Sequence, residues 1–159
     1  VLTELGQRLA LGMVRRHRLI ETFLAEVLGY GWEEVHGDAE RLEHAVSERF
    51  LTRIDEILAH PTTDPHGDPI PTADGRWEPQ TGAIRLAEAE PGGYRVARVD
   101  DSDPDRLGRL RRLGILPGAV LRVGAGTPMV RRADGDPIDL TAEDLDAIRV
   151  RPDGSPRPR

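Results

Sequence analysis

Residues 16–24 read Arg16-His17-Arg18-Leu19-Ile20-Glu21-Thr22-Phe23-Leu24, and residues 36–44 read His36-Gly37-Asp38-Ala39-Glu40-Arg41-Leu42-Glu43-His44. In the first stretch Leu19 and Phe23 continue a series begun by Leu5, Leu9 and Met13, the three-to-four spacing of one helix face. Thr3 is placed to cap this helix, and Gly29 with Gly31 to stop it. In the second stretch Asp38 can cap a helix with Ala39, Leu42 and Val46 on one side, after a turn at residues 32–35. Ser47 can cap a third segment carrying Phe50, Ile54, Ile57 and Leu58. His60 suits a helix C-terminus, where a cationic imidazole meets the dipole, and Pro61 ends helicity. The reading is a three-helix unit over residues 1–75, with Trp32 as a core anchor.

Both stretches also carry groups that bind cations. His17 and Glu21 are four residues apart, as are Glu40 and His44, with Glu43 three after Glu40, so each set projects from one helix face. With His36 they form the densest set of potential ligands. The chain has no cysteine, so any ion meets imidazole, carboxylate and backbone groups, a donor set for Mn²⁺ or Fe²⁺ in preference to a tetrahedral structural Zn²⁺. The alternative on spacing alone is a solvated helix face with ion pairs.

Prolines and glycines crowd the stretch from Pro61 to Gly82, which reads as the connection between two domains, with residues 76–84 the linker proper. Beyond it the period changes to short alternating runs at 94–99, 120–123, 129–130, 138–140 and 148–150, the pattern of small-barrel strands. A helix over Pro104–Leu113, capped by Asp103, interrupts them before the turn Pro117-Gly118. Residues 85–151 form this second domain and 152–159 a disordered tail. The fold class is therefore α+β: a helical domain followed by a small β-barrel.

Composition narrows the function. The 159 residues hold 22 basic and 28 acidic side chains, a net charge of −6, which disfavours nonspecific binding to nucleic acid. No run of about 18 apolar residues is present, so no membrane partner is expected and a cytoplasmic location is. Every basic residue is Arg, none Lys, a bias of base composition more than of function.

With these stretches, the runs Leu2-Thr3-Glu4-Leu5-Gly6 and Asp64-Pro65-His66-Gly67-Asp68-Pro69-Ile70-Pro71 complete a set of four motifs in order. Together they resemble metalloregulators of the diphtheria-toxin-repressor and manganese-repressor type. The second half resembles, less specifically, the SH3-like domain of ferrous-iron transport accessory proteins. The resemblance implies a metal-dependent transcriptional repressor of metal homeostasis, in which a divalent ion is corepressor and the helical domain holds metal and forms a homodimer. Operator DNA would be bound only through an N-terminal winged helix-turn-helix absent from these residues. The resemblance also implies site roles: His17, Glu21 and His36 match ancillary ligands, and Glu40, Glu43 and His44 match primary ones. Glu40 stands where iron-responsive members carry Cys, so Mn²⁺ is preferred and Fe²⁺ is the alternative.

Asp103 and Asp105 are possible additional ligands, although Asp103 before Pro104 also fits a plain helix cap. His66 reads as a loop-locking residue. The dimer surface is assigned to Leu42, Val46, Phe50, Ile54 and Ile57. Two other classes compete. A dimetal carboxylate enzyme is disfavoured because only one helical His follows the acidic pair Glu40 and Glu43. A peptide-binding module is disfavoured because Tyr94 is the sole aromatic of the second half.

Overall fold

The computed structural model describes residues 3–77, 81–125, 130–132 and 135–154. It divides into two compact units, residues 1–80 and 81–159.

The first unit holds α1 (Glu4–Glu26), α2 (Val35–Leu42) and α3 (Glu48–Ile57). Thr3 caps α1 by accepting from the Gly6 amide, as its position suggests. The helix closes when the Tyr30 amide reaches back to the Leu24 carbonyl, a wrap made possible by Gly29 at φ +74°. At about 35 Å it is the long element of the unit. Its burial is uneven: Leu19, Ile20 and Leu24 enter the core, while Leu5, Leu9 and Met13 on the first turns stay exposed. Only the second half of the apolar stripe is therefore covered.

The second helix begins four residues earlier than the sequence suggests. Val35 starts it, Glu34 takes the cap position, and the Glu34 carboxylate accepts from the Gly31 amide at 2.9 Å instead of capping α2. Asp38 is thus inside the first turn, paired with Arg41. The helix also ends sooner, at Leu42, so Glu43 and His44 fall in the turn that follows. Ser47 caps α3 through the Phe50 amide. Two left-handed residues, Ala59 and His60, terminate it, and the His60 ring lies 2.9 Å from Asp55.

Val35 and Ala39 of α2 pack with Leu19, Ile20 and Leu24 of α1, Leu51 and Ile54 of α3, and Ile70. The last of these corrects the view of the Pro/Gly-rich segment as mere connection. Asp64, His66, Asp68 and Ile70 are all buried. Asp64 Oδ1 accepts the amides of both His66 and Asp68 at 2.9 Å. Arg18 of α1 donates to the Pro69 carbonyl and meets Asp64 and Asp68 at 3.4 and 3.3 Å. The prolines here stiffen a loop that backbone hydrogen bonds and the guanidiniums of Arg18 and Arg15, the latter donating to the Pro71 carbonyl at 2.8 Å, fasten to the helices.

The second unit is a six-stranded antiparallel sheet, the SH3-like arrangement, in the order β1-β6-β2-β3-β4-β5. Its strands are β1 (Ile84–Arg85), β2 (Gly92–Val99), β3 (Val120–Val123), β4 (Val130–Arg132), β5 (Pro137–Ile138) and β6 (Ile148–Pro152). Leu86, Val96, Val99, Leu121, Val130, Ile148 and Val150 are buried with Leu107 and Leu110 of α4 (Pro104–Arg112). A further helix, α5 (Ala142–Ala147), carries a full capping box between Thr141 and Asp144. Two boundaries differ from the sequence reading. Ile84 pairs with Val150, so the sheet begins inside the expected linker, and β6 includes Pro152, beyond which Asp153 binds Arg95 at 2.7 Å. Met129 and the tail residues 155–159 lie outside the described residues.

Candidate metal centre

Three of the six predicted ligands come together. His17 and Glu21 lie one turn apart on α1, and His36 lies in the first turn of α2. Their contact atoms form a nearly regular triangle: His17 Nε2 to Glu21 Oε1 3.0 Å, His17 Nε2 to His36 Nδ1 3.1 Å, and His36 Nδ1 to Glu21 Oε1 3.2 Å. Donors at right angles around an ion, each about 2.1–2.2 Å from it, stand about 3.0–3.1 Å from one another. The triangle has the dimensions of one face of an octahedral shell.

Its electrostatics point the same way. The other nitrogen of His17, Nδ1, lies 2.7 Å from Glu43 Oε2, and a carboxylate can only accept. Nδ1 therefore carries a proton, and Nε2, facing the Glu21 carboxylate, donates its own to Oε1 and offers a lone pair to the triangle only when a bound ion displaces that proton. Burial would lower the pKa of His17, but hydrogen bonds to Glu21 and Glu43 and their charges outweigh it and raise it to about 9. Burial works to raise the Glu21 pKa, yet the hydrogen bond and charge of His17, with His66 and His36, hold it below the usual carboxylate value. The arrangement draws positive charge to its centre, and a divalent cation satisfies all three lone pairs at once. The residues fit a metal ion.

Glu43 reaches His17 because the turn after α2 is tied down. Arg16 donates to the Glu43 carbonyl at 3.0 Å and the Val46 carbonyl at 2.7 Å, and pairs with Glu48 at the start of α3. This clamp escapes a reading by spacing, since its targets are backbone carbonyls with no sequence signature. Glu43 thus stands behind His17, the position of a carboxylate that orients an imidazole ligand.

The other predicted ligands do not join the triangle. Glu40 is exposed, and His44 is exposed with its Nε2 3.3 Å from Glu43 Oε1. Glu43, the C-cap of α2, keeps helical backbone in register with Glu40, but its carboxylate turns to His17 and His44 lies in the turn beyond, so the three do not converge. Asp103 caps α4, accepting from the Arg106 amide at 3.1 Å and pairing with the Arg106 side chain at 3.4 Å. Neither Asp103 nor Asp105 belongs to a ligand cluster among the described residues.

His66 is fully buried, as a loop-locking residue should be. Its Nε2 donates to the Trp32 carbonyl at 2.7 Å, and its ring stacks on Trp32 with centroids 5.5 Å apart. Of the residues assigned to a dimer surface, Leu42, Phe50 and Ile57 are exposed by 38, 46 and 63%, and Val46 is half-buried. Ile54 is 2% exposed and belongs to the core of its own unit, because it faces α1 across the α3 helix.

Residues 3–72 match the family described as iron dependent repressor, metal binding and dimerisation domain, and residues 84–152 match the FeoA domain. The iron-dependent repressor IdeR of Mycobacterium leprae is 35% identical over 165 residues, an alignment covering 94% of this chain and 71% of that protein. The chain belongs to the iron-dependent repressor family. IdeR of Mycobacterium tuberculosis is 39% identical over 146 residues, covering 81% of this chain, and the chain spans only 63% of that relative's length. Among solved structures, a manganese-dependent transcriptional repressor in complex with manganese superimposes with a TM-score of 0.86 at 46% identity, over 96% of this chain and 74% of that one. The mycobacterial relatives are named as iron-dependent repressors and the structural neighbour as a manganese-dependent transcriptional repressor. In the described residues no helix is long and apolar enough to cross a membrane.

Proposed function

We propose that this chain is the metal-sensing and dimerising part of a metal-dependent transcriptional repressor of metal homeostasis, with His17, Glu21 and His36 as ligands and Glu43 as the carboxylate that orients His17. The observation that carries this reading is the triangle of 3.0–3.2 Å formed by His17 Nε2, Glu21 Oε1 and His36 Nδ1. A bound divalent ion supplies a charge that links α1 to α2. The chain's own residues do the rest: Glu21 and His17 hold one side from α1, His36 holds the other from α2, and Arg16 with Glu43 fixes the ring. Linking the two helices selects one angle between them, and that angle sets how the repressor's DNA-binding part is presented. Glu40 and His44 are exposed in the structure and stay candidates for a second ion only as that angle changes.

Mn²⁺ is the preferred ion and Fe²⁺ the alternative. Support comes from the donor set, which is oxygen and imidazole nitrogen throughout, with Glu40 where a softer thiolate would favour later metals. The relatives are split, with iron named for the mycobacterial repressors and manganese for the structural neighbour. A homodimer through Leu42, Val46, Phe50 and Ile57 is supported by the exposure of Leu42, Phe50 and Ile57, with Val46 half-buried beside them, and by the dimerisation domain the chain matches. Operator DNA is bound by a winged-helix domain outside these residues, in the cytoplasm. Calorimetric titration with Mn²⁺ and, without oxygen, Fe²⁺ tests the reading: Glu21→Gln and His17→Ala should abolish uptake that the unaltered chain shows, and retained uptake in both would discard the site.

A further inference from the structure

All the hydrogen-bonding contacts of Glu21 fall on one oxygen. Oε1 lies within 3.2 Å of both His17 Nε2 and His36 Nδ1, whereas Oε2 is buried and has no hydrogen-bond partner among the described residues. His66 Nδ1 lies 3.9 Å from Oε2 and is itself buried without a hydrogen-bond partner. Each atom is unmet in the interior, and the gap between them is one that a side-chain shift of about 1 Å would close to hydrogen-bond length; since Nε2 donates to Trp32 and a carboxylate only accepts, that bond forms with the imidazolium, which carries a proton on both nitrogens.

The ring cannot turn that nitrogen elsewhere. Its Nε2 is committed to the Trp32 carbonyl at 2.7 Å, its face stacks on Trp32, and its amide is held by Asp64 at 2.9 Å. The loop of residues 64–70 is in turn pinned to α1 by Arg18. His66 is therefore a fixed feature behind a ligand, delivered by a loop that contributes nothing to the triangle directly.

We propose that His66 is a positioning residue of the metal site, holding Glu21 from behind on Oε2 so that Oε1 is the oxygen presented beside His17 and His36. The proposal rests on the metal-binding reading above. It explains why an imidazole is buried in the Pro/Gly-rich loop with one nitrogen unspent, and it makes that loop the back wall of the site.

Two substitutions separate the two edges of the ring. A Gln side chain sets its amide near the place of Nε2 and keeps the donor to Trp32 while losing the group that faces Glu21. An Asn side chain sets its amide near the place of Nδ1 and does the reverse. Mn²⁺ titration and the Mn²⁺ electron paramagnetic resonance spectrum are measured on the 159-residue chain and both variants, with thermal unfolding of the metal-free proteins beside them. His66→Gln should fold, bind Mn²⁺ roughly tenfold or more weakly at unchanged stoichiometry, and show an altered spectrum. His66→Asn should recover most of the affinity even though it unfolds at lower temperature. Unaltered affinity and spectrum in His66→Gln overturn the proposal, and so does a lost equivalent of metal, which would make His66 a ligand. An unaltered chain that takes up no divalent ion instead defeats the metal reading itself, a result the variants alone cannot produce.

Discussion

His17 Nδ1 stands 2.7 Å from Glu43 Oε2, which fixes the proton on that nitrogen and aims the other one at Glu21. The pair joins the middle of α1 to the turn after α2, so the imidazole is oriented by an element other than its own. Carboxylates in this position typically sharpen metal affinity without touching the metal.

Glu43→Gln should therefore weaken Mn²⁺ binding by about 10–100-fold while leaving the helical unit folded, because the Arg16 clamp holds the Glu43 carbonyl and not its side chain. Calorimetric titration with circular dichroism on the same samples measures it. Affinity unchanged within about twofold would remove Glu43 from the site.

Arg18 fastens the buried loop through Asp64, Asp68 and the Pro69 carbonyl, and Arg15 holds its end by donating to the Pro71 carbonyl at 2.8 Å. Arg18→Ala leaves two buried carboxylates without it and should cost about 3–5 kcal/mol in urea unfolding of the helical unit. The loss should exceed that of Arg53→Ala, whose Glu56 partner is exposed.

Loops of this kind show where sequence reading stops. The caps Thr3, Ser47 and Asp103 were legible because a hydroxyl or carboxylate before a periodic run has one local use, and each accepts the expected amide. The start of α2 was not, because Glu34 sits in helical backbone geometry and caps nothing, so Asp38 looked the better candidate. The composition of residues 61–71 argued for a solvated connection, yet its burial depends on Arg18, fifty residues distant in sequence from Pro69 to within one, a pairing no local pattern contains. Helix α5 is not legible although Thr141 and Asp144 have capping-box spacing, since six residues are too few to show an apolar period. At the site, the spacing of His17 and Glu21 was informative, whereas that of Glu40 and His44 assumed a helix that ends at Leu42.

In the second unit the fully buried Asp144 is paired with Arg109 and accepts the Thr141 amide at 2.9 Å. Burial pushes its pKa up, but the Arg109 hydrogen bond and the Thr141 amide prevail and hold it below the ordinary value of 3.8. A depressed folded pKa adds stability that is present above 3.8 and lost as pH falls through the folded value. Asp144→Asn should lower stability at pH 7 by about 2 kcal/mol and flatten the acid limb of the unfolding curve below about pH 4. Thermal unfolding from pH 2 to 7 reads both; an unchanged acid limb would contradict the assignment.

Ile54 and the exposed Leu42 and Ile57 should separate packing from association. Ile54→Ala removes a core side chain and should destabilise the helical unit by about 2–4 kcal/mol without changing its partner. Leu42→Asp with Ile57→Asp lies on the exposed side and should leave the helical unit folded while shifting sedimentation from dimer to monomer. Sedimentation unaffected by the double substitution would place the dimer contact elsewhere.

Crystals grown with Mn²⁺ and measured for anomalous scattering give the decisive test. The expected result is one strong peak about 2.1–2.3 Å from His17 Nε2, Glu21 Oε1 and His36 Nδ1 together. Manganese found only at other side chains, with these three atoms still bonded to one another, would contradict it.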